Sequence, residues 1–337
     1  MATQRVVRAA VVGGGAFGES HLRTLASMPD VELAGVYTLE QARSAELCGR
    51  YGGVGYATLD AVASDPDLDM VCVVTPEDAH FESFRVLAEH GKAIYVEKPL
   101  ATSLEEARAM VELSRSITAM SGHCLRFESR IAHVMAEQDR LGPVRHMSFR
   151  NKRTRSEKEV YGRVHPAYGI FCHDIELANA FARQPFDRVC ALETRFSDGQ
   201  VDGMNILIEY PGGATCSIEG GWYLPTQDGL AENDRCSLDF AGGTFEIHLP
   251  SMGFTFLDSS GYRFLNQQYE HNVYGMEFGA LRAALEYLVR CLRTETRPTV
   301  STIEDGCEAV RLIEAALVSA QTGRWINAED MPRRGES

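Results

Sequence analysis

The sequence predicts an α/β domain followed by an α+β domain: a doubly wound parallel sheet over residues 1–122, then a mostly antiparallel, open-sheet domain over 123–330, with a flexible tail at 331–337. Three observations predict it. In the first half, continuous Val- and Ile-rich runs alternate with helical stretches, the pattern of strands buried on both faces of a parallel sheet. Beyond residue 122, β-rich runs follow one another with few helices between them, as in an antiparallel sheet. Between the first strand and the first helix stands a glycine cluster, "GGGAFG".

Taken in order, Val6 to Val12 is a strand, and "GGGAFGESHLRTLAS" is a helix whose Phe17, Leu22 and Leu25 are placed to face the sheet. "VELAGVY" is a strand, "EQARSAELCGRYG" a helix and "LDMVCVVT" a continuous apolar strand. "DAHFESFRVLAEHG" is a helix closed by Gly91, and "KAIYVEKP" is a strand stopped by Pro99. Ser103 and Glu106 have capping-box spacing for "LEEARAMVELSR", and "ITAMSG" is the last strand. In the second half "VRHMSFR", "DRVCALETRF", "VDGMNILIEY", "ATCSIEGGW", "RCSLDF" and "TFEIHL" read as strands, with "EYPGGATC" a hairpin turn. Late helices follow, one carrying Phe278, Leu281, Leu285, Leu288 and Leu292 on one stripe, another around Val310 to Val318.

Composition narrows the function. Lys+Arg 33 against Asp+Glu 47 gives a net charge of -14, which disfavours nucleic acid or an anionic membrane as partner, so an anionic ligand must be held by local features. The nine cysteines are scattered singly without a C-x-x-C pair, fitting reduced thiols rather than a disulfide framework. No apolar run reaches the roughly 20 residues of a membrane helix, and the N-terminus runs directly into a strand. A soluble, cytoplasmic protein is expected.

Three constellations carry chemistry. Gly13-x-Gly15-x-x-Gly18 follows a strand and opens a helix, where glycines permit a tight turn and let a pyrophosphate approach backbone amides at the positive helix end. At the first βα turn of a parallel domain this is a dinucleotide-binding, Rossmann-type signal, with Gly13, Gly15, Ala16, Phe17 and Gly18 as the cofactor turn. The usual acidic residue about 20 positions on is absent. Thr38, Leu39 and Glu40 stand there, so the choice between NAD and NADP stays open, leaning to NAD; Arg43, one helical turn on, is the cation that could attract a 2′-phosphate. The second constellation, "VVTPEDAH", puts Thr75 and Pro76 at the carboxyl end of a strand, where ligands bind in open α/β sheets, a simple helix-entry turn being the alternative; His80, which follows, reads by itself as a packing residue. The third is Glu97 and Lys98 ending an apolar strand. A lysine beside a nicotinamide can exchange a proton with the oxygen of the carbon that exchanges hydride; a surface ion pair is the bland alternative.

These motifs, with "GHCLRFES", "HDIELANAF" and the late "STIEDGCEAVRLIEAALVSAQTGRWI", resemble the glucose-fructose oxidoreductase / inositol dehydrogenase (Gfo/Idh/MocA) family from Val6 to about Ile326. The resemblance implies a nicotinamide-dependent oxidoreductase acting on a carbinol or carbonyl carbon of a sugar, cyclitol or related polyol. It implies that Glu97 and Lys98 line the nicotinamide, that Lys98 is the catalytic lysine, that His173 is its acid-base partner, and that a homodimer or homotetramer forms. It also makes Thr75, Pro76 and His80 cofactor residues, and Arg126, Tyr161, Tyr168 and Asp174 substrate residues. No metal is expected, although Cys172, His173 and Asp174 are of ligating type. The Lys98-Pro99 bond is a candidate for cis.

One departure matters. Many family members carry Asp four residues before the histidine, and here that position is Gly169, with Tyr161, His165 or Tyr168 as possible substitutes. "NKRTRSEKEVYGR", Asn151 to Arg163, is basic and either binds an anionic substrate group or is a solvated loop. The rival reading from another class is a dinucleotide-responsive regulator that has lost turnover.

Overall fold

The computed structural model describes residues 5–196, 199–225, 232–249, 255–258, 261–264 and 271–331. The chain forms two compact units, Met1–Glu128 with Tyr269–Cys307, and Ser129–Gln268 with Glu308–Ser337.

In the first unit the elements run β1 (Val7–Val12), α1 (Ala16–Ala26), β2 (Val31–Tyr37), α2 (Gln41–Tyr51), β3 (Val54–Gly55), α3 (Leu59–Ala63), β4 (Met70–Val73), α4 (His80–Glu89), β5 (Ala93–Glu97), α5 (Leu104–Ser114) and β6 (Ala119–Gly122). The six-stranded sheet has the order β3-β2-β1-β4-β5-β6 and every pairing is parallel. Its central strands are buried at every position, "MVCV" in β4 and "AIYVE" in β5, because helices cover both faces. The order reverses between β1 and β4, so the carboxyl ends of these neighbours carry Gly13 and Thr75. Helix α5 starts where the capping-box spacing places it, with the Ser103 hydroxyl accepting from the Glu106 amide at 3.2 Å.

Local pattern and tertiary packing part company at three points. The sequence places Phe17 on the sheet-facing stripe of α1; Leu22 and Leu25 are buried there, but Phe17 is 39% exposed at the helix start. Phe278 is likewise not on the late helix: it ends a short strand, Met276–Phe278, and the helix is Ala280–Arg293. That helix also packs with the first half of the chain, whereas the sequence assigns it to the domain 123–330. Its Leu281, Leu285 and Leu288 enter the same core as Leu22, Leu25 and Leu47. Periodicity finds the apolar stripe but not the surface it covers, and each such leucine, once buried, contributes about 1.5–3 kcal/mol.

The second unit continues with α6 (Ser129–Leu141), β7 (Val144–Thr154), α7 (Arg155–Tyr161), α8 (Pro166–Gly169), α9 (Cys172–Ala182), β8 (Arg188–Arg195), β9 (Val201–Glu209), β10 (Thr215–Leu224), β11 (Glu232–Phe240) and β12 (Gly243–Leu249). The seven-stranded sheet is ordered β12-β11-β7-β10-β9-β8, closed by Ile326–Asn327, and is antiparallel except where β7 and β10 pair. Along β9, Met204, Ile206 and Ile208 are buried while Asn205 and Leu207 face out, the period of two of a half-covered sheet. The hairpin expected at "EYPGGATC" joins β9 to β10, with Gly212 and Gly213 at φ +83° and +87°. Helix α9 is buried on nearly every side, His173 and Asp174 included. Among the described residues no helix is long and apolar enough to cross a membrane.

Candidate active site

The glycine turn is built for close approach. Gly13 has φ +112° and donates its amide to the Tyr37 carbonyl at 2.9 Å; a Cβ on it would lie 2.2 Å from the Val74 oxygen. On Gly18 a Cβ would lie 2.1 Å from the Gly13 oxygen, so this residue sets how tightly α1 packs on the turn. Gly15 differs: a Cβ there would meet no atom within 4 Å, and as N-cap of α1 it offers no side chain to the first amides. A helix start with an uncapped positive end and open space before it fits a pyrophosphate. Ala16 and Phe17 supply the first helical amides.

At the ends of β4 and β5 the predicted residues come together. Thr75 follows β4 with its hydroxyl buried and without a partner among the described residues, and Pro76 enters the short turn Glu77–Ala79. His80 is buried, with Nδ1 2.8 Å from the Pro99 oxygen and Nε2 3.0 Å from the Thr75 oxygen. Burial holds its pKa down, so the neutral ring donates to one carbonyl at a time and ties the β4 turn to the β5 turn. The Lys98-Pro99 bond is cis.

Glu97 is buried beneath this corner. Its Oε2 accepts from the Lys98 amide at 3.1 Å and its Oε1 from His21 Nε2 at 2.9 Å. A buried carboxylate needs such donors, because losing water without replacement is costly. His21, wholly buried on α1 and edge-on to Tyr95, was not singled out from sequence. The signal was there, since His21 precedes Leu25 by one helical repeat on the buried stripe. His123, after β6, is a second such residue. Burial first, then the charges of Lys98 and Arg126, push its pKa down to about 3, so a neutral imidazole sits near both cations.

At the β2 end the expectation for Thr38 changes. Its hydroxyl turns inward, donating to the Glu40 carbonyl at 2.6 Å and meeting the Ser44 hydroxyl at 2.9 Å, instead of standing open toward a ribose. Leu39 beside it is 92% exposed.

In the second unit, His173 and Asp174 open α9. Asn151 Nδ2 donates to Asp174 Oδ2 at 3.2 Å, while the neighbouring Arg153 pairs with Asp234 at 2.6 Å. Burial, then the Asp234 charge, push the Asp174 carboxyl up to about 7. Tyr168 is buried in α8, its phenol held protonated by burial and by Glu314. His165 caps α8, accepting from the Ala167 amide at 3.1 Å with Glu193 3.3 Å from its other nitrogen. Tyr161 ends α7, and its side chain lies outside the described residues. The basic stretch is not a loop but the end of β7 followed by α7, and Lys158 pairs with the buried Asp202 at 2.7 Å.

Residues 7–121 match the GFO/IDH/MocA oxidoreductase family with an NAD-binding Rossmann fold, and residues 130–247 match the GFO/IDH/MocA C-terminal domain. An uncharacterized oxidoreductase of Streptococcus pneumoniae is 31% identical over 130 residues, 38% of this chain and 35% of that protein, so the match spans about a third of the relative. D-xylose 1-dehydrogenase (NADP(+)) 2 of Haloferax volcanii is 24% identical over 335 residues, 95% of this chain and 99% of that protein. The scyllo-inositol dehydrogenase of Lactobacillus casei, solved with NAD(H) and scyllo-inositol bound, superposes with a TM-score of 0.81 at 16% identity, over 96% of this chain and 100% of that one, a likeness of fold.

Proposed function

The chain belongs to the GFO/IDH/MocA oxidoreductase family, and from that premise we propose that it transfers hydride between a nicotinamide dinucleotide, with a preference for NAD, and a carbinol or carbonyl carbon of a sugar, cyclitol or related polyol. The observation that carries the reading is the corner at the carboxyl edge of the parallel sheet, where Lys98 follows a buried, doubly bonded Glu97. The backbone amides of Gly15, Ala16 and Phe17 would hold the pyrophosphate, and Thr75, Pro76 and Glu97 would line the nicotinamide end. When bound, the dinucleotide supplies the hydride acceptor or donor. Lys98 takes the hydroxyl proton as a carbinol is oxidised and returns it to the carbonyl oxygen in reverse. His173 is the second proton-transfer residue, and Asp174, Tyr168, Tyr161 and Arg126 position the substrate. Nine free cysteines suit a reducing, cytoplasmic setting. A homodimer or homotetramer belongs to the same reading.

The test is the change of nicotinamide absorbance on mixing the protein with NAD or NADP and inositols, aldoses and their keto forms. Turnover of at least one polyol is expected. Dinucleotide binding without turnover on any of them would favour a regulator instead.

A further inference from the structure

The inference concerns which dinucleotide the site takes, and it rests on reading the glycine turn as the dinucleotide site. In such folds the residues at the end of the second strand meet the adenosine ribose, and a nearby arginine accommodates a 2′-phosphate. Here the cation at that end is Arg43. It lies against the turn itself, its Nε donating to the Gly14 carbonyl at 3.1 Å. Its two terminal nitrogens are already engaged, one with Glu46 at 2.8 Å and the other with Glu19 at 2.6 Å.

Those carboxylates are themselves anchored. Glu19 also accepts from Arg50 at 2.7 Å and from the Tyr51 hydroxyl at 2.8 Å, and Glu46 also accepts from Arg50. Arg43, Glu46 and Arg50 share one stripe of α2, facing Glu19 in the first turn of α1. Tyr51 and Arg43 hold the Glu19 carboxyl below the usual carboxylate range, and Arg43 does the same for Glu46. Two arginines and two carboxylates make the cluster neutral, so it offers a dianionic phosphate no net attraction.

We propose that Glu19 and Glu46 determine specificity: they mask Arg43, an arginine positioned to receive a 2′-phosphate, and so bias the site toward NAD. Of the two, Glu46 is the lock, because it is the more exposed and lacks the tyrosine that fixes Glu19. Removing its charge loosens the hold on one arm of Arg43, since a neutral amide oxygen is a weaker acceptor, and leaves the cluster with a positive charge. Salt screens such half-exposed charges, so the bias weakens as ionic strength rises.

The experiment is calorimetric titration of the full chain with NADH and NADPH at low salt, for the parent, Glu46→Gln, and Glu46→Gln combined with Arg43→Leu. It needs no substrate. Glu46→Gln is expected to tighten NADPH by about tenfold, the scale of one charge-assisted contact, with NADH within about twofold; the double variant is expected to lose that gain. An NADPH to NADH affinity ratio that stays within about twofold of the parent in Glu46→Gln would overturn the inference, as would a gain that survives in the double variant. A parent that binds neither dinucleotide would overturn the site reading and this inference with it. A parent that binds NADH, with an unmoved ratio in Glu46→Gln, would sink only the inference.

Discussion

Each unit buries a carboxylate beside a residue read as catalytic, and the two are furnished differently. Glu97, next to Lys98, is met by the His21 ring and the Lys98 amide. Asp174, next to His173, is met by one amide from Asn151 and faces the Asp234 carboxylate. The difference teaches that burial alone does not decide what an acid does. Supplied with two donors, Glu97 acts as a strut that fixes the backbone at Lys98; supplied with one and opposed by a like charge, Asp174 keeps its proton to about 7.

The largest effect that would break this comparison is at the lysine. Lys98→Ala is expected to lower kcat by about 10²- to 10⁴-fold or more, with NADH affinity within about tenfold, because the pyrophosphate site proposed above is the glycine turn and not this ammonium. Full turnover in the variant would remove the reason for the strut. His173→Ala is expected to fall in the same range of kcat, and an effect confined to KM would make it a positioning residue.

Next in size is the strut itself. His21→Leu leaves Glu97 buried with one donor fewer, a loss of about 2–3 kcal/mol of stability, read from the urea midpoint at unchanged slope. A shift below about 0.5 kcal/mol would show that Glu97 does not depend on His21.

The Asp174 side is sharpened by pH. The folded chain holds this proton to about 7, whereas the free carboxyl loses it near 3.8, so between these values the unfolded chain binds fewer protons. Stability of the parent therefore falls as pH rises through that window. Asp174→Asn has no proton to lose there and is expected to gain on the parent by about 1–3 kcal/mol between pH 4 and pH 8. A difference independent of pH, in paired unfolding curves, would contradict the picture of a donor-poor acid.

The smallest effect is at the adenosine end. An Asp side chain loses the donation that Thr38 makes to the Glu40 carbonyl, and its charge at the end of β2 favours ribose hydroxyls over a 2′-phosphate. Thr38→Asp is expected to widen the NADH preference by about threefold; unchanged or reversed preference in parallel titrations would count against it.

Much of this was legible in the sequence, for identifiable reasons. The glycine turn, the β5 end at Glu97 and the cap at Ser103 obey rules spanning a few residues, and the cis bond at Pro99 falls where the abrupt bend suggested it. His21 and Glu97 are 76 residues apart, so their bond depends on how α1 packs over β5. Asp174 meets Asn151 across 23 residues through the packing of α9 on β7. Thr38 and Arg43 stand out in the sequence, but their engagement by Ser44, Glu19 and Glu46 is a matter of side-chain geometry. The helix Ala280–Arg293 shows the same limit: its stripe was visible, its partner core was not.

The central claim, hydride transfer with Lys98 moving the proton, is tested most directly by isotope transfer. NADH deuterated at nicotinamide C4 is mixed with pooled ketoses and keto-inositols, and the polyol products are read by mass spectrometry for both the parent and Lys98→Ala. A polyol carrying one deuterium on carbon with the parent, and at least about a hundredfold less of it at the same protein concentration and time with Lys98→Ala, is the predicted result. No deuterated product with the parent, or equal labelling with Lys98→Ala, would contradict it.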